Sequence, residues 1–233
     1  MQNKIDEIVA GIKKIYGERP GVIGVSGGVD SALSLTLLTR ALGTVRVTPM
    51  LLPYKNQDMA DAKTIVEFNG LTGRMQEINI GEMVESILGK LEIKNDLRKG
   101  NVMARVRMIV LFDKAKELGA LVCGTENKSE HELGYYTRFG DSASDVEPIA
   151  GLYKTEVWEM AKCLKLPEIF YTKKPSAGLW EGQTDEGEMG FSYAQADKVL
   201  MGQIEGMDKK VVERVKKMVE KNIFKLEVPY VLG

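Results

Sequence analysis

A glycine-rich turn between two apolar runs constrains the fold of this chain more than any other feature. The hexapeptide Ser-Gly-Gly-Val-Asp-Ser, residues 26–31, follows the apolar residues 21–25 and precedes the apolar residues 32–42. The first run has the length of a buried strand, and the second has that of a helix. Backbone N–H groups at the start of such a helix, unobstructed by Cβ atoms at Gly27 and Gly28, form a concave site suited to phosphate. The turn therefore predicts a phosphate-binding strand, loop and helix.

The polar side chains of the turn indicate a nucleotide that is bound with a metal ion. The hydroxyls of Ser26 and Ser31 can add two hydrogen bonds to a phosphate. The turn has no Gly-Lys-Ser/Thr ending of a Walker loop, and it carries Asp30, which would repel phosphate unless a cation such as Mg²⁺ lies between them. The alternative is a tight turn of small residues without a ligand. The strand-to-helix context favours the nucleotide.

Strand-like and helix-like segments alternate along the chain, which predicts a doubly wound α/β fold. Its sheet would be mostly parallel and five-stranded, with helices on both faces and right-handed crossovers. Ligands of such sheets bind beyond the carboxyl ends of the strands, where the order of strands reverses. We expect the glycine-rich turn at that point. The predicted strands are residues 21–25, 45–52, 74–80, 119–124 and 146–149, and the predicted helices include residues 58–68, 82–91, 101–118, 155–164, 193–200 and 208–222.

A second polar turn follows the predicted strand of residues 119–124 and should face the same site. It offers the hydroxyl of Thr125 and the carboxylate of Glu130. Asp30 and Glu130 together could hold a hard cation against a polyphosphate. The alternative is that this segment only caps a helix N-terminus, where acidic residues are favourable anyway.

The bulk composition excludes several functions. The 32 basic and 33 acidic side chains give a net charge of −1, so the chain has no electrostatic footprint for non-specific nucleic-acid binding. Its two cysteines form no C-x-x-C pair, and no apolar segment approaches the roughly 20 residues of a membrane span. We expect residues 1–233 to form a single cytoplasmic domain that binds small molecules and has no nucleic-acid or membrane partner.

Five further blocks of sequence carry a resemblance to a known family. Together with the turn of residues 26–31, they look like the ammonia-dependent NAD⁺ synthetases, which belong to the N-type ATP pyrophosphatases. The turn alone resembles the pyrophosphate loop of that wider group and does not select a substrate. The likeness runs from residue 21 to residue 193. The blocks are residues 100–108, 124–130, 139–145, 148–154 and 174–179.

The resemblance implies a ligase with the fold of the adenine nucleotide alpha hydrolases. Such an enzyme amidates nicotinic acid adenine dinucleotide (deamido-NAD⁺) with ammonia, the last step of NAD⁺ biosynthesis. It consumes ATP, passes through an acyl adenylate, and releases NAD⁺, AMP and pyrophosphate. The resemblance also implies Mg²⁺ as cofactor and a homodimer whose interface helps to form the dinucleotide site. The helices predicted at residues 82–91 and 101–118 would contribute to that interface.

The resemblance assigns roles to individual residues. Asp30 and Glu130 match the magnesium ligands. Lys154 would be a point charge for the polyphosphate, and the guanidinium groups of Arg105 and Arg138 could grip the pyrophosphate or carboxylate of the dinucleotide. The matches for ATP are Gly24, Val25, Ser26, Gly27, Gly28, Val29, Asp30, Ser31, Thr125, Lys154 and Ser176, and those for deamido-NAD⁺ are Arg105, Arg138, Asp145 and Lys225.

Without the resemblance, several of these residues have plainer explanations. Arg105 and Arg107 alternate on one predicted helix, so at least one of them should face solvent or a structural acid. Lys154 could simply begin the helix that follows it. His131, the only histidine, is expected to make a local hydrogen bond beside Glu130 rather than to act as a base.

Two further segments bear on the predicted site. Relatives often carry a His-Lys-Arg run near the C-terminus, whereas this chain has Phe224, Lys225 and Leu226, so only the lysine is kept. The polar residues 173–192 are a candidate lid that would close over ATP.

Two other classes of protein could carry such a turn. A tRNA-modifying pyrophosphatase would use the same fold to adenylate a base, but it should show basic patches and reactive cysteine pairs. A nucleotide sensor would keep the loop without the chemistry, and the presence of both Asp30 and Glu130 speaks against it. The synthetase-like blocks occupy nearly all of the chain, so we expect no glutaminase domain and predict free ammonia as the nitrogen source.

Overall fold

Four parallel strands form the centre of the computed structural model, which describes residues 1–175 and 184–226. They are β1 (Gly21–Gly24), β2 (Val47–Leu51), β3 (Gln76–Glu77) and β4 (Leu121–Cys123), in the order β3-β2-β1-β4. The chain passes from β1 to β2 and β3 on one side and then returns to place β4 on the other side of β1. The order of strands therefore reverses between β1 and β4.

Helices cover both faces of the sheet. They are α1 (Gln2–Tyr16), α2 (Val29–Leu42), α3 (Ala60–Phe68), α4 (Gly81–Lys90), α5 (Asp96–Leu118), α6 (Lys128–Leu133), α7 (Lys154–Cys163), α8 (Ile169–Thr172), α9 (Asp185–Met189), α10 (Tyr193–Leu200) and α11 (Lys209–Asn222). Side chains of β1 alternate between two apolar cores: Ile23 packs with α1, α2 and α7, whereas Val22 packs with α4 and α5. A third cluster joins α6, α10 and α11.

The predicted doubly wound parallel fold is confirmed, but the predicted fifth strand is wrong. Val146 forms only a single bridge to Cys123. The Asp145 side chain takes the place of a strand partner, because its Oδ2 accepts a hydrogen bond from the Val122 N–H at 2.8 Å. Pro148 then follows and has no N–H to extend a ladder. Residues 146–149 therefore touch the edge of the sheet without joining it as a strand.

The long helix α5 also differs from its prediction. It begins at Asp96 rather than at residue 101, because the Asn95 side chain caps it by accepting a hydrogen bond from the Arg98 N–H. The helical spacing of its apolar residues predicts that Val106 and Ile109 are both buried. Val106 lies in the core, but Ile109 is 65% exposed. Along the described residues, no helix combines the length and the apolar character needed to cross a bilayer.

Candidate active site

The glycine-rich turn leaves the carboxyl end of β1, as predicted, and is fixed from within. Ser31 Oγ donates to the Gly28 carbonyl at 3.0 Å and accepts from the Ser26 N–H at 3.2 Å. Gly27 has φ +86°, and a Cβ atom there would come within 3.1 Å of the Ala62 backbone nitrogen in the first turn of α3. Only glycine suits that conformation and that space.

The second turn lies beside the first because β4 neighbours β1. Asn127, which is buried, donates from Nδ2 to Asp30 Oδ1 at 2.9 Å and thereby ties the two turns together. Its Oδ1 also accepts from the Glu130 N–H at 3.0 Å, and Glu130 Oε2 accepts from the Asn127 N–H at 3.3 Å, which makes a capping box at the start of α6. Glu130 therefore caps the helix and also points its other carboxylate oxygen toward Asp30.

Lys154 joins the two carboxylates. It is the first residue of α7, its side chain is 2% exposed, and its Nζ lies 2.5 Å from Asp30 Oδ2 and 3.1 Å from Glu130 Oε1. Burial alone would lower the pKa of Lys154, but the negative charges of Asp30 and Glu130 raise it above its usual value. Burial raises the pKa of Glu130, and the ammonium group of Lys154 opposes that rise. The lysine is therefore a buried cation shared by two acids.

The donor set fits a hard divalent cation. Asp30 and Glu130 come from different turns, yet their side chains are close enough to share one ammonium group. Mg²⁺ in nucleotide enzymes is commonly held by one or two carboxylates together with phosphate oxygens and water. Among residues 1–175 and 184–226, no group of three or more His, Cys, Asp and Glu side chains forms a complete metal cage. Asp30 and Glu130 beside a phosphate-binding type of loop match the arrangement in which one or two carboxylates hold Mg²⁺ together with phosphate oxygens.

Three of the four predicted dinucleotide contacts gather on the loop that follows α6. Arg105 donates from Nε and Nη2 to the Arg138 carbonyl at 3.3 Å each. Lys225 donates from Nζ to the Gly134 and Tyr136 carbonyls at 2.5 and 2.8 Å. The structure gives Asp145 a different partner, the Val122 N–H at the sheet edge. Ser176 lies outside the described residues, as does the middle of the candidate lid.

Aromatic rings surround the Arg138 guanidinium. Its central carbon lies 5.3 Å from the centroid of the Phe139 ring and 5.3 Å from that of Phe224. Phe139 is 60% exposed and has φ 60°, a strained value for a residue other than glycine. Two aromatic rings therefore lie against the Arg138 guanidinium.

Arg105 and Arg107 separate as their alternation predicts. Arg105 is exposed, whereas Arg107 points inward and donates from Nε to the Leu52 carbonyl at 3.1 Å and from Nη2 to Gln57 Oε1 at 3.0 Å. Burial lowers the pKa of Arg107. Arg107 therefore fixes the segment after β2, and Arg105 is the member of the pair that remains accessible.

Sequence reasoning missed an acidic cluster below the second turn. Glu147 accepts from Ser144 Oγ at 2.7 Å and from the Glu126 N–H at 3.1 Å, and it packs so closely on Gly124 that a Cβ there would lie 1.8 Å from its Oε1. Burial raises the pKa of Glu126 to about 8 and that of Glu147 to about 7. His131 Nδ1 lies 2.8 Å from Glu126 Oε1, so its local hydrogen bond is made with Glu126.

The fold and this site define a class of protein. A parallel sheet with a glycine-rich loop at its switch point, next to a helix N-terminus and two converging acids, is the arrangement of an α/β enzyme that binds a nucleotide.

Comparisons with known proteins give the family. The model of the NAD synthase family matches residues 2–229. An NH₃-dependent NAD⁺ synthetase of Pyrococcus horikoshii is 43% identical, over 97% of this chain and 93% of that protein. The chain belongs to the NAD synthase family.

Two solved structures extend the likeness to three dimensions. An NMN synthetase of Francisella tularensis has a TM-score of 0.91 and 32% identity, and the match covers 100% of this chain and 98% of that one. An NH₃-dependent NAD synthetase of Campylobacter jejuni, solved with a nitrate ion, has a TM-score of 0.86 and 30% identity, with coverage of 100% and 98%.

Proposed function

We propose that this chain amidates deamido-NAD⁺ with ammonia at the expense of ATP, releasing NAD⁺, AMP and pyrophosphate. The observation that carries the proposal is the meeting of Asp30 and Glu130 around the buried Lys154 ammonium beside the glycine-rich turn. The family supplies the reaction. The cluster supplies two carboxylates that would hold Mg²⁺ against a triphosphate, with the Lys154 ammonium group beside them.

The chemistry explains why such a cluster is useful. A carboxylate is a poor electrophile, because its charge repels a nucleophile and oxide cannot leave. Attack of the nicotinate oxygen on the α-phosphorus of ATP removes both obstacles and gives an acyl adenylate, from which ammonia then displaces AMP. Positioning and charge neutralisation carry most of such phosphoryl chemistry.

Each part of the site has a task in this scheme. The N–H groups at Gly27 and Gly28 and at the start of α2 would hold the departing pyrophosphate, and Lys154 would place a positive charge on it. Asp30 and Glu130 would hold Mg²⁺, which supplies charge neutralisation on the polyphosphate when bound. Thr125, at the second turn, and Ser176 are proposed as further contacts to ATP.

The dinucleotide would bind beside the loop after α6. Arg105, Arg138 and Lys225 place three cationic side chains around that loop, and they suit a substrate with a pyrophosphate and a carboxylate. Asp145 stays a proposed contact on the resemblance alone, because its side chain is occupied by the Val122 N–H.

A mononucleotide is the second candidate substrate. The solved structure with a TM-score of 0.91 is described as an NMN synthetase, and Phe224 and Leu226 replace the histidine and arginine of the family pattern. The mononucleotide candidate is nicotinic acid mononucleotide, which lacks the distal half of the dinucleotide.

Pyrophosphate release tests the proposal. We expect release from ATP and Mg²⁺ with ammonium only when deamido-NAD⁺ is present, and NAD⁺ should form in equal amount. Nicotinic acid mononucleotide in place of the dinucleotide should react at least about 10-fold more slowly; a faster reaction would establish the mononucleotide as the substrate. Release that ignores both nucleotides, or that needs tRNA, would contradict the proposal.

We propose free ammonia as the nitrogen source and residues 1–233 as one synthetase domain. Neither cysteine suits a glutaminase nucleophile. Burial raises the pKa of Cys123, and Cys163 is an exposed residue at the end of α7. In the assay above, glutamine in place of ammonium should give little product.

We propose a homodimer that forms through α4 and α5. These helices expose large apolar side chains that a single chain leaves in water: Met83 is 44% exposed, Leu97 65%, Ile109 65% and Phe112 37%. Scattered apolar residues are normal on a surface, but several on two adjoining helices indicate an interface.

Ile109→Asp should convert the dimer to a monomer in sedimentation velocity, because it places a charge in the buried centre of the proposed interface. Val45→Asp is the matched control, since Val45 is 77% exposed on a different surface and should leave the dimer intact. A wild-type chain that sediments as a monomer would contradict this proposal.

A further inference from the structure

Helix α10 carries two buried polar side chains that lie one turn apart and both reach the neighbourhood of Lys154. They are Tyr193, which is fully buried, and Asp197, which is 2% exposed. Their spacing of four residues puts them on one face of the helix. The family resemblance assigned no role to either residue. Burial of a polar side chain costs free energy unless its polar atoms are hydrogen-bonded, so the partners of these two residues are informative.

Asp197 holds the backbone at the start of α7. Its Oδ2 accepts from the Thr155 N–H at 2.9 Å and from Thr155 Oγ1 at 2.8 Å. Its Oδ1 accepts from Ser129 Oγ at 2.5 Å, and the same Ser129 oxygen accepts from the Lys154 N–H at 2.8 Å. The first two N–H groups of α7 are thus satisfied by Ser129 and Asp197, and the negative charge of Asp197 suits a helix N-terminus.

Tyr193 contacts the other end of Lys154. The Lys154 ammonium lies 4.9 Å from the centroid of the Tyr193 ring, a distance at which the ring attracts a cation. The Tyr193 hydroxyl lies 3.5 Å from Glu130 Oε1 and 3.1 Å from Asp185 Oδ2. One helix therefore supports both the backbone and the charged end of the lysine.

We propose that Asp197 and Tyr193 are positioning residues that hold the Lys154 ammonium between Asp30 and Glu130. A lysine side chain has four rotatable bonds, so its charge is useful for a polyphosphate only when its backbone and its tip are both held. Asp197 fixes the backbone of Lys154 through Ser129 and Thr155, and Tyr193 holds its ammonium group. The inference rests on the proposed function, because it assumes that Lys154 acts on ATP.

A coupling experiment tests the inference through binding of ATP with Mg²⁺, measured by titration calorimetry. Asp197→Asn keeps the size of the side chain but turns an amide donor toward groups that already donate. It should weaken ATP binding about 10-fold and leave deamido-NAD⁺ affinity unchanged. Tyr193→Phe, which keeps the ring, should weaken ATP binding less than Tyr193→Leu, which removes it. Asp208→Asn is the matched control, because Asp208 caps α11 through the Lys210 N–H at 2.9 Å.

The decisive comparison is made in a Lys154→Met background. If Asp197 acts through the lysine, Asp197→Asn should weaken ATP binding no further there, although it still lowers the melting temperature. Equal weakening in both backgrounds would overturn the inference and leave Asp197 a purely structural residue. Ser129→Ala removes the link from Asp197 to the Lys154 backbone while Thr155 keeps its bonds, and it should show the same coupling. A wild-type chain that binds no ATP would overturn the proposed function itself.

Discussion

Replacing Asp30 with asparagine is expected to reduce NAD⁺ formation by at least about 1000-fold. Asp30 Oδ2 lies against the Lys154 ammonium, and Oδ1 accepts from Asn127 Nδ2. A neutral amide removes one of the two charges proposed to hold Mg²⁺, and its NH₂ group turns toward a neighbour that already donates. The first half-reaction, adenylation, should therefore be lost, which pyrophosphate release from ATP measures directly.

The fold of this variant should survive, because Asn127 and Glu130 keep their capping box and the apolar cores are untouched. Asp6→Asn is the control. Asp6 is an exposed residue of α1 that accepts a hydrogen bond from Gln2 in the same helix, and its replacement should leave turnover unchanged. Normal turnover in the Asp30 variant would remove this carboxylate from the reaction.

Replacing Lys154 with methionine should destabilise the protein by about 3–5 kcal/mol in buffer that contains a metal chelator. The change keeps the length of the side chain but leaves Asp30 and Glu130 facing each other without a counter-charge, at 18% and 17% side-chain exposure. Urea unfolding with EDTA and with millimolar Mg²⁺ measures the effect. Mg²⁺ should restore part of the loss, since it can take the position between the two acids.

Lys4→Met provides the comparison for that experiment. Lys4 pairs with Glu156 at 2.8 Å, but its side chain is 41% exposed, so its removal should change stability by only about 0–1 kcal/mol. Similar losses in the two variants, or a Lys154 variant that does not respond to Mg²⁺, would contradict the view of Lys154 as a buried counter-ion. The Lys154 variant should also turn over about 100-fold more slowly.

Local patterns made much of the fold predictable. An apolar run, a glycine-rich turn and a second apolar run lie within residues 21–42, so the first strand, loop and helix follow from period and turn chemistry alone. Local patterns could not exclude the fifth strand. The Asp145 side chain accepts the hydrogen bond of the Val122 N–H that a strand carbonyl would otherwise accept, and this contact is tertiary. The exposure of Ile109 could not be predicted either, because helical periodicity does not distinguish a buried apolar face from an exposed one.

The candidate site was predictable only in part. Asp30 and Glu130 could be selected as carboxylates that follow strands, and Lys154 was found through the family resemblance. Asn127 carried a usable signal, because Asn-Lys-Ser-Glu is a capping box that pins an amide beside Glu130. Asp197 and Tyr193 carried only a weak signal, a polar residue inside an apolar helix pattern. Their partners around Lys154 are distant in sequence: Thr155 lies 42 residues from Asp197, and Glu130 lies 63 residues from Tyr193.

The strand order also determines when each neighbour of β1 becomes available during synthesis of the chain. Asp30 precedes Lys154 by 124 residues, and at about 5–20 residues per second about 6–25 s separate their emergence from a ribosome. Until β4 (Leu121–Cys123) is synthesised, β1 can pair only with β2, so one row of its backbone groups is exposed as an open edge. A central strand of the folded enzyme is therefore an edge strand in the nascent chain. Pairing of that edge with β4 and neutralisation of Asp30 by Lys154 both require the second half of the protein.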